Sequence, residues 1–340
     1  MQELKDITII GAGPTGLFGA FYAGMRGASC RLIDNLDQVG GQLTALYPEK
    51  YIFDVAGFPK VLAKDLVKGM AEQAGQFKAP IHLGQKVVGL RREPDNGRER
   101  FILVTESDEY PSRTVIIAGG IGAFTPRKLP LKDVDRWYGR GVHDRVLDPK
   151  AFAGKRVLIV GGGDSAFDWA VNLHGIAGSI LMIHRRDGFR AHQATVQQVQ
   201  ALCDAGKMEL RTFWEVRALQ GRDRVEGVTI FNSKTKEEQT LPMDAVIPQL
   251  GFLSSLGAIE EWGLEFEKGD IKVASTMETN IPGIFAAGDI TTYPGKLKLI
   301  ATGVAEASIA VNHAVHFINP TAKVAPGHSS NMAVFGQSED

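Results

Sequence analysis

The chain has 340 residues, 44% of them hydrophobic and 23% charged, with a formal net charge of −1. That length exceeds one ordinary core and predicts two domains, while the near-zero charge excludes a global bias toward nucleic acid or an anionic membrane. Two cysteines, Cys30 and Cys203, exclude a disulfide framework and fit a reducing, cytoplasmic compartment.

In chain order, the apolar run at 7–10 predicts a buried strand, and 14–26 the helix after it. Between them lies Gly11-Ala12-Gly13-Pro14-Thr15-Gly16. Gly11 permits the tight turn, Gly13 lets the backbone approach a pyrophosphate, and Gly16 allows helix and strand to pack closely. The anion then meets unpaired N–H groups at the helix start. Asp34 follows the next strand, in place to accept from ribose hydroxyls. An acid there disfavours a 2′-phosphate, so this site takes FAD or NAD rather than NADP. The opening residues show no basic-then-apolar leader, and no apolar run nears the roughly 18 residues of a membrane span.

Helical spacing at 62–77 predicts an amphipathic helix. The pattern then turns to strands at 87–90, 101–104 and 114–117, the first two joined by a turn at Pro94-Asp95-Asn96-Gly97. The small residues at 118–123 read as a crossover into a second domain. There the apolar run at 157–160 is followed by a second fingerprint, Gly161-Gly162-Gly163-Asp164-Ser165-Ala166. No acid ends its second strand. His184-Arg185-Arg186-Asp187 and Arg190 stand there instead, and guanidiniums bind a phosphate dianion through paired, charge-assisted hydrogen bonds. This predicts NADPH at the second site. Further strands are expected at 208–213, 225–231 and 244–250, with a hairpin near 233–238.

Near 248–252 the chain crosses back. Gly288-Asp289 follows a strand and precedes an Ala-rich helix at 301–316; such a carboxylate suits a flavin ribityl chain, or caps the helix. The stretch 320–340 has little regular structure. The fold class expected is α/β, with two Rossmann-like nucleotide-binding domains of the three-layer ββα type. The domain of the first fingerprint, for FAD or NAD, spans 1–119 and 252–320, the NADPH domain 120–251 is inserted in it, and 321–340 is a C-terminal extension. The histidines show no metal spacing, and no metal site is predicted.

The fingerprints, His184 to Arg190 and Ala286-Ala287-Gly288-Asp289 resemble the flavoprotein reductases of the thioredoxin-reductase type. That family's Cys-x-x-Cys would fall near Arg145 and Asp148, where this chain has no cysteine. A narrower resemblance rests on Gly40 to Lys50, Val55-Ala56-Gly57-Phe58-Pro59, Ser275 to Asn280 and His328-Ser329-Ser330. These are similar to the thioredoxin-reductase-like ferredoxin–NADP⁺ reductases over the whole length. The resemblance implies FAD held by Thr15, Asp34, Gln42, Tyr47, Val88, Phe124, Asp289 and Ser330. It also implies NADPH held by the second fingerprint and its arginines, and a homodimer whose tail covers the partner's flavin. Tyr47 and His328 would stack on opposite faces of the flavin ring. For Tyr47 the alternative is loop packing, and for His328 an exposed side chain. The activity implied is hydride transfer between NADPH and FAD N5, with single-electron exchange with ferredoxin or flavodoxin. Two alternatives stay open: an NADPH diaphorase, quinone or external-dithiol reductase, and a non-catalytic flavin or NADPH sensor.

Overall fold

A computed structural model of the chain describes all residues except Met1, Glu49, Asn96, Arg145, Leu147 and 332–340; for Arg98, Ala123, Phe124, Thr125, Leu253, Ser254 and Asn331 it describes the backbone alone. The chain divides into two compact units, one of Met1–Ala123 with Ser254–Asp340, the other of Phe124–Leu253.

The first unit is built on a sheet in the order Ile81–His82, Cys30–Ile33, Lys5–Ile10, Glu109–Ile117, Arg98–Thr105, Val87–Asp95. The first four strands are parallel. The last two return antiparallel, so that Glu109–Ile117 pairs with Arg98–Thr105 over its first half. Its second half pairs in parallel with Ile284–Ala286. Ile7, Ile9, Leu32 and Ile33 are fully buried, as a parallel strand covered on both faces requires. The helices Pro14–Met25 and Ile300–Ile318 lie against each other on this sheet, so close that a Cβ on Gly19 would stand 3.7 Å from that of Ala307. The helix expected at 62–77 runs Ala63–Gly75 and buries Leu66, Val67, Met70 and Ala74, its apolar stripe.

In the second unit the parallel sheet runs Glu209–Thr212, Ser179–His184, Arg156–Gly161, Ala245–Gln249. Strand alternation divides its side chains between two cores. Val157, Ile159, Ile180 and Met182 pack with Phe167 and Ala170 of the helix Asp164–Leu173. Leu158, Val160, Leu181 and Ile183 pack with Trp214, Val228 and Ile230 of an antiparallel sheet, Trp214–Gln220, Gly227–Asn232, Glu238–Pro242. Helix, parallel sheet and antiparallel sheet thus form three layers.

Two expectations need correction. The strand read at 208–213 stops at Thr212, because Phe213 takes a left-handed φ of 68° and turns the chain into Trp214–Gln220. That strand, Trp214–Gln220, was not expected. The hairpin expected near 233–238 joins Gly227–Asn232 to Glu238–Pro242, which lies at the sheet edge with every second residue exposed. The chain links the units through Ala123–Pro126 and Phe252–Ser255, which pair as a two-stranded ladder.

Candidate functional site: two nucleotide cradles

At the first fingerprint Gly11 has φ +109°, and a Cβ there would come within 2.4 Å of the Ala118 carbonyl oxygen. A Cβ on Gly16 would lie 1.8 Å from the Gly11 oxygen, so only glycine lets this helix meet its strand. Gly13 caps the helix without any side-chain hydrogen bond, which leaves first-turn N–H groups for an anion. Asp34 follows Cys30–Ile33 and is nearly buried. Its carboxylate accepts from the Ala12 N–H at 2.5 Å and the Leu36 N–H at 2.7 Å. Burial pushes its pKa up, and those two N–H groups pull it back. A carboxylate offers about four acceptor sites, so capacity remains for hydroxyls.

From Asp34 the cradle continues past Gly13. The Gly40 N–H donates to the Ala12 oxygen at 2.8 Å. Gly41, with φ +56°, comes so near that a Cβ would stand 3.1 Å from the Gly13 Cα. Gly41 then starts the short helix Gln42–Leu46, which ends at Tyr47. Gln42 Nε2 donates to Asp289 Oδ2 at 3.4 Å. Tyr47 is half-buried, and burial raises its phenol pKa, with the Asp289 and Asp54 carboxylates adding to the effect. Thr15 stands between two glycines: a Cβ on Gly288 would lie 2.8 Å from its hydroxyl, and one on Gly303 2.4 Å. A chain of contacts therefore connects Gly11, Gly13, Thr15, Gly16, Asp34, Gln42, Tyr47 and Asp289. Asp289 is no helix cap, for Leu299 takes that position.

The other expected residues are Val88, Phe124, His328 and Ser330. Val88 is exposed beside a bulge between Val87 and Gly89. The preceding Gln85 donates its N–H to the Asp34 oxygen at 2.8 Å, which ties that segment to the acid end. Phe124 lies on Ala123–Pro126, with its side chain outside the described residues. His328 and Ser330 are exposed, Ser330 within the short 3₁₀ turn Ser329–Asn331. The rest of the tail, 332–340, lies outside the described residues.

The second cradle repeats the logic with opposite charge. A Cβ on Gly161 would meet the Gln249 oxygen at 2.4 Å, and one on Gly162 would meet the His184 ring at 2.4 Å. Gly163 has open space around it and caps its helix without a side-chain bond. Ser165 is half-buried and Ala166 buried. Asp164 accepts from the His192 N–H at 2.8 Å, and the Arg190 N–H donates to the Gly162 oxygen at 2.8 Å. These bonds fold the arginine loop back over the fingerprint. Burial lowers the His184 pKa; a hydrogen bond with the Gly188 backbone opposes this, and the nearby arginines add to it. Arg185, Arg186 and Arg190 are exposed and have no ion-pair partner among the described residues.

Cys30 is buried and its thiol pKa is pushed up to about 12 by burial, while Cys203 is half-buried and also raised by burial. Among the described residues no group of three or more His, Cys, Asp or Glu is placed to hold a metal ion. Likewise no helix among them is long and apolar enough to cross a membrane. Sequence reasoning missed Glu306, Tyr293 and Lys296. Glu306 is 2% exposed and accepts from the Gly288 N–H, the Tyr293 hydroxyl and the Lys296 ammonium. The signal was present: a lone acid on the buried face of an Ala-rich helix.

Residues 5–314 match the family model described as pyridine nucleotide-disulphide oxidoreductase. A protein named ferredoxin–NADP reductase from Thermus thermophilus is 50% identical over 331 residues, 97% of this chain and 98% of its own. Another so named, from Halalkalibacterium halodurans, is 51% identical over 332 residues, again 97% and 98%. Among solved structures, a Lactococcus lactis thioredoxin reductase aligns with TM-score 0.71 at 28% identity, covering 92% of this chain and 99% of that one.

Proposed function

The chain belongs to the pyridine nucleotide-disulphide oxidoreductase family, among its ferredoxin–NADP reductases, and on that premise we propose how its residues carry that activity. FAD binds the first cradle and NADPH the second. The observation that carries this reading is the opposite charge at the two ribose ends: buried Asp34 in one, exposed and unpaired Arg185 and Arg186 in the other. The open space at Gly163 and the two helix starts without a side-chain cap support a pyrophosphate in each cradle.

When bound, FAD supplies the exchange between two-electron and one-electron chemistry. The protein supplies binding, orientation and field. The N–H groups after Gly13 receive the pyrophosphate, and Asp34 accepts from the ribose. Gln42 and Asp289 hold the far end, with Val88, Phe124 and Ser330 as the remaining contacts. Tyr47, and His328 from a second copy, would hold the flavin ring. Gly161, Gly163, Ser165 and Ala166 shape the NADPH pyrophosphate site. Asp164 and His184 brace the loop from which Arg185, Arg186 and Arg190 grip the 2′-phosphate.

The acceptor is ferredoxin, or flavodoxin in its place, and the working form is a cytoplasmic homodimer. Exposed Tyr51, Phe53, Phe58, Leu297 and Leu299, with an open groove between Phe53, Phe58 and Ala301, support a second copy at this face. No internal dithiol competes for electrons, because Cys30 and Cys203 are unpaired and lie in separate units.

The test is anaerobic titration of the purified protein with NADPH, then mixing with ferredoxin and, separately, with thioredoxin. The expected result is bleaching of the flavin, followed by reduction of ferredoxin alone. Bleaching with both acceptors left oxidised makes the protein an NADPH diaphorase. Reduction of thioredoxin or another small dithiol makes it an external-dithiol reductase. Cofactor binding without bleaching makes it a sensor.

A further inference from the structure

An ionised carboxylate is among the costliest groups to bury, so one at 2% exposure must find partners for its charge and its lone pairs. Glu306 finds them all in one segment, 288–296. Its Oε2 accepts from the Gly288 N–H at 2.7 Å. Its Oε1 accepts from the Tyr293 hydroxyl and from Lys296 Nζ, whose side chain is 6% exposed. Burial pushes the Tyr293 pKa up to about 12, with the Glu306 hydrogen bond adding to it, so this hydroxyl stays a donor.

The next peptide unit, which joins Gly288 to Asp289, is held as well. The Gly288 oxygen accepts from the Thr291 N–H at 3.1 Å and from the Thr291 hydroxyl at 2.9 Å. Gly288 has φ +84°, a left-handed conformation that glycine adopts at little steric cost. Glu306 lies three residues after Gly303 on the same helix face, and a Cβ at Gly303 would stand 3.3 Å from the Gly288 Cα. The next residue is Asp289. Gln42 is its side-chain partner, and no cation pairs with it among the described residues.

We propose that Glu306, neutralised by Lys296 and held by Tyr293, is a positioning residue of the flavin site: by clamping the Gly288 N–H, while Thr291 holds the Gly288 carbonyl, it sets the place of the Asp289 carboxylate. This rests on the reading that FAD occupies the first cradle. Anchoring the helix does not account for a charged pair here, because well-packed apolar residues do that as well or better. A carboxylate can accept from a main-chain N–H and two side chains together, which an apolar residue cannot do. Neutralisation by Lys296 leaves Asp289 as the charge that the flavin end meets.

The experiment compares holoprotein of the wild type with Lys296→Met, Glu306→Gln, the double variant and Tyr293→Phe. It reads the FAD dissociation constant, the visible circular dichroism of the bound flavin, and Tm. Either charge-breaking variant should weaken FAD on the order of tenfold and alter the dichroism. The double variant, neutral at both positions, should return to within about threefold of wild type. Tyr293→Phe removes one hydroxyl from a folded protein and should weaken FAD by about threefold. If Tm falls while affinity and dichroism stay within about twofold of wild type in every variant, Glu306 is a plain staple and the proposal fails. If the single charge variants do not fold, unchanged affinity and dichroism in Tyr293→Phe overturn it. Wild-type protein that binds no FAD defeats the functional reading itself, a separate outcome.

Discussion

Arg185 and Arg186 are exposed guanidiniums at a strand end, with nothing among the described residues to neutralise them. Unpaired surface arginines are ordinary, but beside an open glycine turn they suit the phosphate dianion proposed for this site. Replacing both by alanine should raise the dissociation constant for NADPH on the order of 100-fold, since each charge-assisted contact is worth about 1.5–3 kcal/mol. NADH, without the 2′-phosphate, should change by less than about threefold. Direct titration with both nucleotides checks this, and an equal loss for both would show that the guanidiniums do not read the phosphate. Residues of this kind were legible because charge and glycine spacing are local properties. Glu306 was not, because its meaning depends on Gly288 and Lys296 reaching the same point of the core.

At the scale of elements, the central strand of the second unit is tied at its start to the neighbouring strand. The Arg156 guanidinium holds Asp244 at 2.7 and 2.9 Å, and the Arg156 N–H adds a third bond at 2.9 Å. The Arg156 side chain and N–H together hold the Asp244 pKa down to about 2, from an ordinary 3.8. A carboxylate lowered on folding stabilises fully above its unfolded pKa, and that contribution is lost as pH falls from about 4 toward 2. Asp244 is 38% exposed, so solvent screening limits the effect. Asp244→Asn should cost about 0.5–1 kcal/mol near neutral pH in urea unfolding, with the gap to wild type closing below about pH 4. A gap that does not narrow in acid would remove the ion pair from the account. Strands and helices with apolar runs were legible, Lys5–Ile10 and Ala63–Gly75 among them. The edge strand Trp214–Gln220 was not, for its alternation of apolar and charged residues breaks down after Arg217.

At the scale of the molecule, the start of the C-terminal segment is anchored while His328 beyond it is exposed. Arg26 donates to the Lys323 oxygen at 2.7 Å and the Val324 oxygen at 3.3 Å, and His316 Nδ1 lies 2.8 Å from the Ala322 oxygen. Truncation after Val324 keeps these contacts and removes His328 and Ser330. Such a variant should retain its Tm and its FAD but change ferredoxin turnover several-fold, because a segment that covers the flavin must also clear it. Steady-state turnover in both directions checks this, and unchanged rates would end the role of the tail as a gate. The sequence alone determined the α/β class, the two dinucleotide fingerprints and the charge that each ribose would meet. All three follow from sterics and periodicity within short stretches, which any chain with those residues obeys. Only the tertiary structure decided which distant residues share a site: Thr15 between Gly288 and Gly303, Gly41 against Gly13, and Glu306 with Lys296 beneath Asp289. Those meetings depend on how whole layers pack, and close packing is a property of the assembled core rather than of any segment in it.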